Sequence, residues 1–386
     1  MKRKHFFLFA SAVAMLTACS SEDLGTTETS KQAIRFDVPF VGKTTRSTGD
    51  LNNTNISGQS IKVWGDEYAD GATTGTSVFS GEGNAKLSNT GGTWDVDKIA
   101  FWDEGMKYDF LAVAPYDLAN VSYGTTGGSY TVADRKLSIS EIPAVKKIND
   151  GDDILVAAVT DQSKGANADN GVQFNFSHIL SRFSVYAYTA IPNDETTGYT
   201  VTLNSLSIYL PNDNAKAKYA QATHGEVDND ADTWEWDGFT NAATTATEAD
   251  LNANYTKYDL NTDNTTAALQ YAATLADARQ AAKNETTKAS YLLQPEFFVA
   301  PTAKIETNTT DDLQLFMKIS YTLTGNGDDQ SKTKTYTKFV PIQDLHSFKQ
   351  GHQTNLFICI GEGDIEFGNF SVNGWQNAAD AEHDFK

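Results

Sequence analysis

Cysteine is almost absent from this 386-residue chain. Cys19 and Cys359 are the only two, so neither a disulfide scaffold nor a Cys-based zinc site can be built from them. Basic charge is also scarce, with 30 Lys and Arg against 50 Asp and Glu and a net charge of −20. A polyanion needs a basic face to displace its counterions, so nucleic acid is excluded as a partner. Long apolar runs are missing after residue 18. The longest, Phe110–Ala114 and Ile154–Val159, have the length and branching of buried strands and are too short to cross a bilayer. Catalytic signatures are missing too. There is no G-x-S-x-G elbow, no H-E-x-x-H helix and no complete phosphate-binding loop. The six histidines (His5, His178, His224, His346, His352 and His383) are scattered without ligand spacing. No enzyme activity, cofactor or metal is therefore expected. What the chain does have is 40% hydrophobic and 11% aromatic residues, enough for the cores of about two ordinary domains and inconsistent with global disorder.

The first 18 residues read as a targeting segment. Lys2, Arg3 and Lys4 form a positive n-region, followed by the apolar stretch Phe6–Leu16. Leu16-Thr17-Ala18-Cys19 then resembles the lipobox of bacterial lipoproteins, in which cleavage precedes the cysteine and the thiol carries lipid. Each buried acyl methylene contributes about 0.8 kcal/mol, so several chains on Cys19 would anchor the protein to the outer membrane. Ser20, Ser21, Glu22 and Asp23 look like the short acidic export tag of some surface lipoproteins. Loss of residues 1–18 removes three basic groups and leaves the chain at −23.

Beyond that point the hydrophobic period is mostly two. Ile34, Phe36, Val38 and Phe40 alternate with Arg35, Asp37 and Pro39, which predicts a half-buried strand kept to an edge by its proline. Further strands are expected at 60–64, 107–114, 129–132, 136–140 and 153–160. The polar stretch 161–171 is read as a domain boundary, and a second strand-rich block follows at 172–188, 199–210, 290–293, 313–323, 333–340 and 356–360. Thr265–Lys283, rich in Ala and free of Pro and Gly, is read as a surface helix inserted in the second domain. Short strands with frequent turns and little helix give an all-β chain of two β-sandwiches in tandem.

Isolated motifs carry little chemistry. His178, between Phe176 and Ile179 on a strand, reads as a hydrogen-bonded structural residue. Asp228, Asp230 and Asp232 imitate the start of a calcium loop, but Thr233 and Phe239 stand where its Gly and bidentate Glu belong. Trp234 and Trp236 share a face that suits either core packing or a sugar ring. Cys359, between Ile358 and Ile360, reads as a buried thiol.

One ordered series of segments carries a family resemblance. It runs from the lipobox through a strand ending in Thr44-Thr45-Arg46, then Phe101-Trp102, Tyr108–Ala112 with Pro115, Asp152–Ala157, Phe174–Phe183, Phe348–Gln353 and Phe370–Trp375. This series resembles the fimbrillin family, the lipoprotein precursors of type V pilus subunits. The resemblance implies two tandem transthyretin-like β-sandwich domains, divided as signal peptide 1–18, lipidated linker and removable strand 19–46, sandwiches 47–165 and 166–361, and tail 362–386. It also implies that an Arg- or Lys-directed surface protease cuts between Arg46 and Ser47, releasing the lipid with the strand that carries Ile34, Phe36, Val38 and Phe40. Burial of those four side chains stabilises by roughly 6 to 12 kcal/mol, so their loss leaves an open groove and an unpaired edge. The expected donor is the C-terminal segment carrying Ile365, Phe367, Phe370 and Val372, with a phase shift at Gly368-Asn369. The competing reading makes 365–375 the last strand of its own domain. The expected partners are other fimbrillin subunits, the protease and, before processing, the outer membrane. The alternative function is a monomeric surface lipoprotein or tip adhesin that binds host glycans or proteins.

Overall fold

The structure, a computed structural model, describes residues 31–37, 39–41, 51, 53, 55–79, 83–124, 130–131, 136–142, 145–147, 153–167, 170–193, 198–211, 215–220, 234–237, 247–252, 255–259, 268–283, 292–299, 315–327, 332–342, 351–361 and 365–374. Residues 1–18, Cys19, Val38, Arg46, Ser47, Asp228, Asp230 and Asp232 lie outside that set. The described residues form a mostly β protein.

The first sheet is built on β2 (Ile61–Ala69), β6 (Met106–Ala114) and β11 (Leu155–Gln162), with β6 antiparallel to both neighbours. Its apolar run is continuous because both faces of β6 are covered. Tyr108, Phe110, Ala112 and Ala114 enter one core, and Leu111 and Val113 enter another. Beyond β2 lie β3 (Thr74–Ser77), β4 (Asn84–Thr90), β5 (Thr93–Val96) and β8 (Tyr130–Thr131). The other side ends in β12 (Asn175–His178) and then β1 (Phe40–Val41), which pairs parallel with β12. The stretch 161–171 holds the end of β11 and the short α1 (Lys164–Asn167). Because β12 follows it and pairs with β11, the chain leaves the first sheet at Ile179–Leu180.

The second core lies between two sheets. One is led by β13 (Ser181–Thr189) and β21 (His352–Ile360), paired parallel, with β18 (Leu292–Val299) beyond β13 and β22 (Ile365–Gly374) at the edge beyond β21. The other runs β17 (Tyr255–Asp259), β14 (Tyr199–Pro211), β19 (Leu315–Gly325) and β20 (Thr333–Ile342). Period-two alternation sends Phe183, Val185, Leu356, Ile358, Leu203, Ile208, Met317 and Ile319 inward.

Two joins cross between the halves of the chain. β7 (Val121–Tyr123) and β9 (Lys136–Ile142) continue into β15 (Ala215–Ala220) and β16 (Trp234–Asp237), and β10 (Val145–Lys147) pairs with β18.

The inserted helix is shorter than its alanine content predicts. α3 spans Leu275–Lys283, while the residues before it bond to strand ends. Thr189 N–H donates to Gln270 C=O at 3.0 Å, Ala272 N–H to Thr189 C=O at 3.0 Å, and Leu269 N–H to Val201 C=O at 2.8 Å. Those bonds hold 269–272 extended. Thr274 then starts the helix by accepting the Asp277 N–H at 3.2 Å. Ala278 and Ala282 pack on Tyr186, Tyr188, Phe357 and Cys359, so the helix covers the outer face of the β13–β21 pair, and Cys359 is buried as expected.

A second small helix, α2 (Glu248–Leu251), is tied to the opposite sheet. The Tyr209 hydroxyl donates to Glu248 Oε1 at 2.6 Å, and Lys318 Nζ donates to Oε2 at 2.9 Å. The tyrosine bond, then the lysine, holds the Glu248 carboxyl below its ordinary value of 4.5. A lowered carboxyl contributes stability that is complete above that ordinary value and lost as pH falls through the folded-state value. Glu248→Gln should therefore destabilise the protein at pH 7, and the gap between the two denaturation midpoints should narrow as pH falls below 4.5. A gap that stays constant down to pH 2 would contradict this assignment.

Candidate functional site

The segment 32–41 closes the first core. Ile34, Phe36 and Val41 are buried among Phe110, Phe174, Phe176 and Trp102. The Phe36 ring stacks on Phe174 at 5.5 Å and meets Phe110 edge-on at 5.4 Å, the two arrangements that ring quadrupoles favour.

Its backbone is held on both sides. Trp102 N–H donates to Gln32 C=O at 2.9 Å, and Ile34 N–H donates to Ala100 C=O at 2.8 Å. Further along, Val172 N–H donates to Arg35 C=O at 2.8 Å and Asp37 N–H donates to Val172 C=O at 2.9 Å. Gly171 lets the two backbones meet. Its φ is +77 degrees, in the left-handed region, and a Cβ there would stand 3.1 Å from Arg35 O and Asp37 N.

The strand alternation expected over 34–40 changes phase. Phe36 is bridged to Val172, whereas Phe40 pairs with Asn175 and Val41 with Phe176. Three residues, 37–39, therefore face two, 173–174. The extra residue sits beside Pro39, which has no N–H to give the ladder. The shift puts Val41, fully buried, into the core, a place the sequence pattern assigned to Phe40. Phe40 is described by its backbone alone.

The Asn53 side chain grips the end of this segment. Asn53 Oδ1 accepts the Val41 N–H at 2.6 Å, and Asn53 Nδ2 donates to Val41 C=O at 3.2 Å. Nearby, the Leu51 N–H donates to Asp153 Oδ2 at 3.3 Å, and the same oxygen lies 2.7 Å from His178 Nδ1. His178 is thus a buried, hydrogen-bonded residue at the end of β12, as its strand setting predicts. Sequence reasoning missed Asn53 and Val41, since a polar residue in a loop carries no signal until the partner backbone is placed.

The C-terminal segment with Ile365, Phe367, Phe370 and Val372 is β22, antiparallel to β21 within the same chain. Its register also slips, because Ser371 pairs with Asn355 and Gly368 with Phe357, leaving Asn369 and Phe370 opposite one residue. Trp234 and Trp236 lie in β16 by their backbones, and their side chains are outside the described set.

Other chemistry is spoken for. Asp109 accepts the Tyr68 hydroxyl at 2.8 Å and the Asp161 N–H at 2.9 Å. Burial, then the Asp109 carboxylate, pushes the Tyr68 hydroxyl far above the usual tyrosine range, so it remains a donor. A cavity of about 550 Å³ at one end of the second sandwich is lined by Tyr199, Lys334 and Tyr336. Lys334 Nζ lies 4.7 Å over the Tyr336 ring, whose centroid is 5.2 Å from that of the stacked Tyr321 ring, so the Tyr336 ring already has two partners. Among the described residues no group of three or more His, Cys, Asp or Glu is placed to hold a metal ion, and no helix is long and apolar enough to cross a membrane.

Phe36→Ala should cost about 3 to 5 kcal/mol by removing a buried ring from a closed core. Urea unfolding of the uncut chain would measure it, and a loss below about 1 kcal/mol would show that the segment does not complete that core.

Residues 45–375 match the model of a family described as fimbrillin-like. A fimbrial protein from Bacteroides vulgatus ATCC 8482 is similar in fold, with 18% identity, 89% of this chain and 100% of that chain covered, and a TM-score of 0.50. The tip fimbrial protein Mfa3 from Porphyromonas gingivalis, truncated at its C-terminus, matches at 11% identity over 82% of this chain and 94% of that one, with a TM-score of 0.34. No curated protein matches the chain.

Proposed function

The chain belongs to the fimbrillin-like family, and on that premise we propose that it is a structural subunit of a cell-surface fimbria, matured by proteolysis and polymerised by strand exchange in support of adhesion. Its two sandwich cores are read as tandem transthyretin-like domains. A precursor lipidated at Cys19 is held at the outer membrane. A surface protease of Arg or Lys specificity then cuts between Arg46 and Ser47.

The observation that carries this reading is the seat of residues 32–41. The segment fills a core, is bridged to Phe101 and Val172, and ends as the edge strand β1 beside β12, so its departure breaks no pairing between other strands. Burial of Ile34, Phe36 and Val41 stabilises by roughly 5 to 9 kcal/mol, and their departure opens an apolar slot along the edge of β12. An open edge beside a vacant slot favours addition of another strand. The donor is the C-terminal segment of a neighbouring subunit. Its place at the edge of its own sheet lets it depart with the same economy. Contact of this kind is head-to-tail and propagates as a filament. The net charge of −23 left after loss of residues 1–46 keeps subunits with an exposed edge soluble until they meet.

Incubating residues 20–386 with a trypsin-like protease should yield a new N-terminus at Ser47 and a ladder of oligomers stable in denaturing detergent. Deletion of residues 362–386 should abolish the ladder. A chain that is cut at Arg46 and stays monomeric would instead act as a tip adhesin or solitary lipoprotein, and absence of the Ser47 terminus would rule out the processing step.

A further inference from the structure

The N-terminal segment and the C-terminal strand share a spacing that the structure makes meaningful. Among the described side chains of 32–41, Ile34, Phe36 and Val41 join the first core. The C-terminal strand carries Ile365, Phe367 and Val372, the same three residue types at the same intervals. The intervening positions differ: Arg35 against Glu366, Val38 against Asn369, Pro39 against Phe370, Phe40 against Ser371. Agreement falls on the three positions that the structure places in the first core.

The backbones agree as well. An extra residue is inserted at 37–39 in the first segment, judged by its pairing with 172–176. In the second, the extra residue falls at 369–370, judged by the pairing of β22 with β21. When Ile34 is set on Ile365, positions 37–39 fall on 368–370, so the two slips overlap. An interval of five between the aromatic and the valine puts both on one face only if a slip occurs between them. Each strand therefore needs the irregularity, and each has it.

Resting on the strand-exchange reading, we infer that the partner strand is that of a second copy of this chain, entering in one register: Ile365 in the place of Ile34, Phe367 in that of Phe36 and Val372 in that of Val41, running parallel to β12. Phe370 then falls at the place of Pro39, which is buried at the slip, and takes the place of none of the three core side chains. Asn53 sets the register. Its carboxamide holds both the N–H and the C=O of residue 41, reading backbone and not side chain, so after cleavage it is free to hold Val372 in the same way. Any strand offered to the groove must have an N–H at that position, which excludes proline there. A β-branched residue at Val372 refills the fully enclosed space of Val41. One chain thus carries both the groove and a strand that fits it, the property of a stalk-forming subunit.

The test replaces Phe367 with p-benzoylphenylalanine, a ring for a ring, and Phe370 in a second variant. The full chains are cut with the trypsin-like protease and irradiated. Dimer-sized cross-links from position 367 to peptides containing Phe110 or Phe174 are expected, with few from 370. If the 370 probe reaches those peptides and the 367 probe does not, the register is wrong while strand exchange stands. If the unlabelled cut chain forms no oligomers, strand exchange fails and this inference falls with it. Asn53→Ala leaves both strands intact and removes two hydrogen bonds, so its oligomers should dissociate about tenfold faster or more. An unchanged lifetime would overturn the clamp.

Discussion

Backbone pairing along the edge of β12 is the constraint on which the rest of the first domain depends. The strand carries Phe176 on one side of its pleat and is too short to finish a core by itself. Something must lie against it, bring apolar side chains and satisfy its outer row of peptide groups. Residues 32–41 meet all three needs. They bind chiefly through peptide groups and three enclosed side chains, so the demand is for a strand of a given pattern and not for a particular stretch of this chain.

Much of the architecture is legible in local pattern. Period two with β-branched and aromatic residues marks the central strands of both halves, because their two faces meet different neighbours and leave a clear imprint. The polar strands β4 and β5 escape notice: Asn84–Thr90 has the composition of a turn, and only Ala85 and Leu87 reach the core. β15 and β16 are invisible for another reason, since their partner β9 lies in the other half of the chain. The helix is misjudged in the opposite sense. Alanine favours helix throughout 265–283, yet tertiary hydrogen bonds from Thr189 and Val201 hold 269–272 extended.

The site is legible in outline. Alternation nominates Ile34, Phe36, Val38 and Phe40; Ile34 and Phe36 are buried, and so is Val41, which alternation leaves out. Pro39 is the clue to that addition. It marks the edge, and a residue that cannot donate to a ladder also invites an extra residue and turns the pattern over. The grip of Asn53 could not be foreseen, because a carboxamide acts here as a piece of neighbouring strand.

The direction of β1 has a mechanical consequence. A strand laid parallel to β12 and pulled lengthwise loads its hydrogen bonds together, in shear. An antiparallel hairpin pulled at its open end peels one bond at a time. Resistance to force is governed by the barrier to unfolding and not by equilibrium stability, and a joint that must fail all at once presents a high barrier. A joint of this kind under load holds by geometry even where each contact in it is weak.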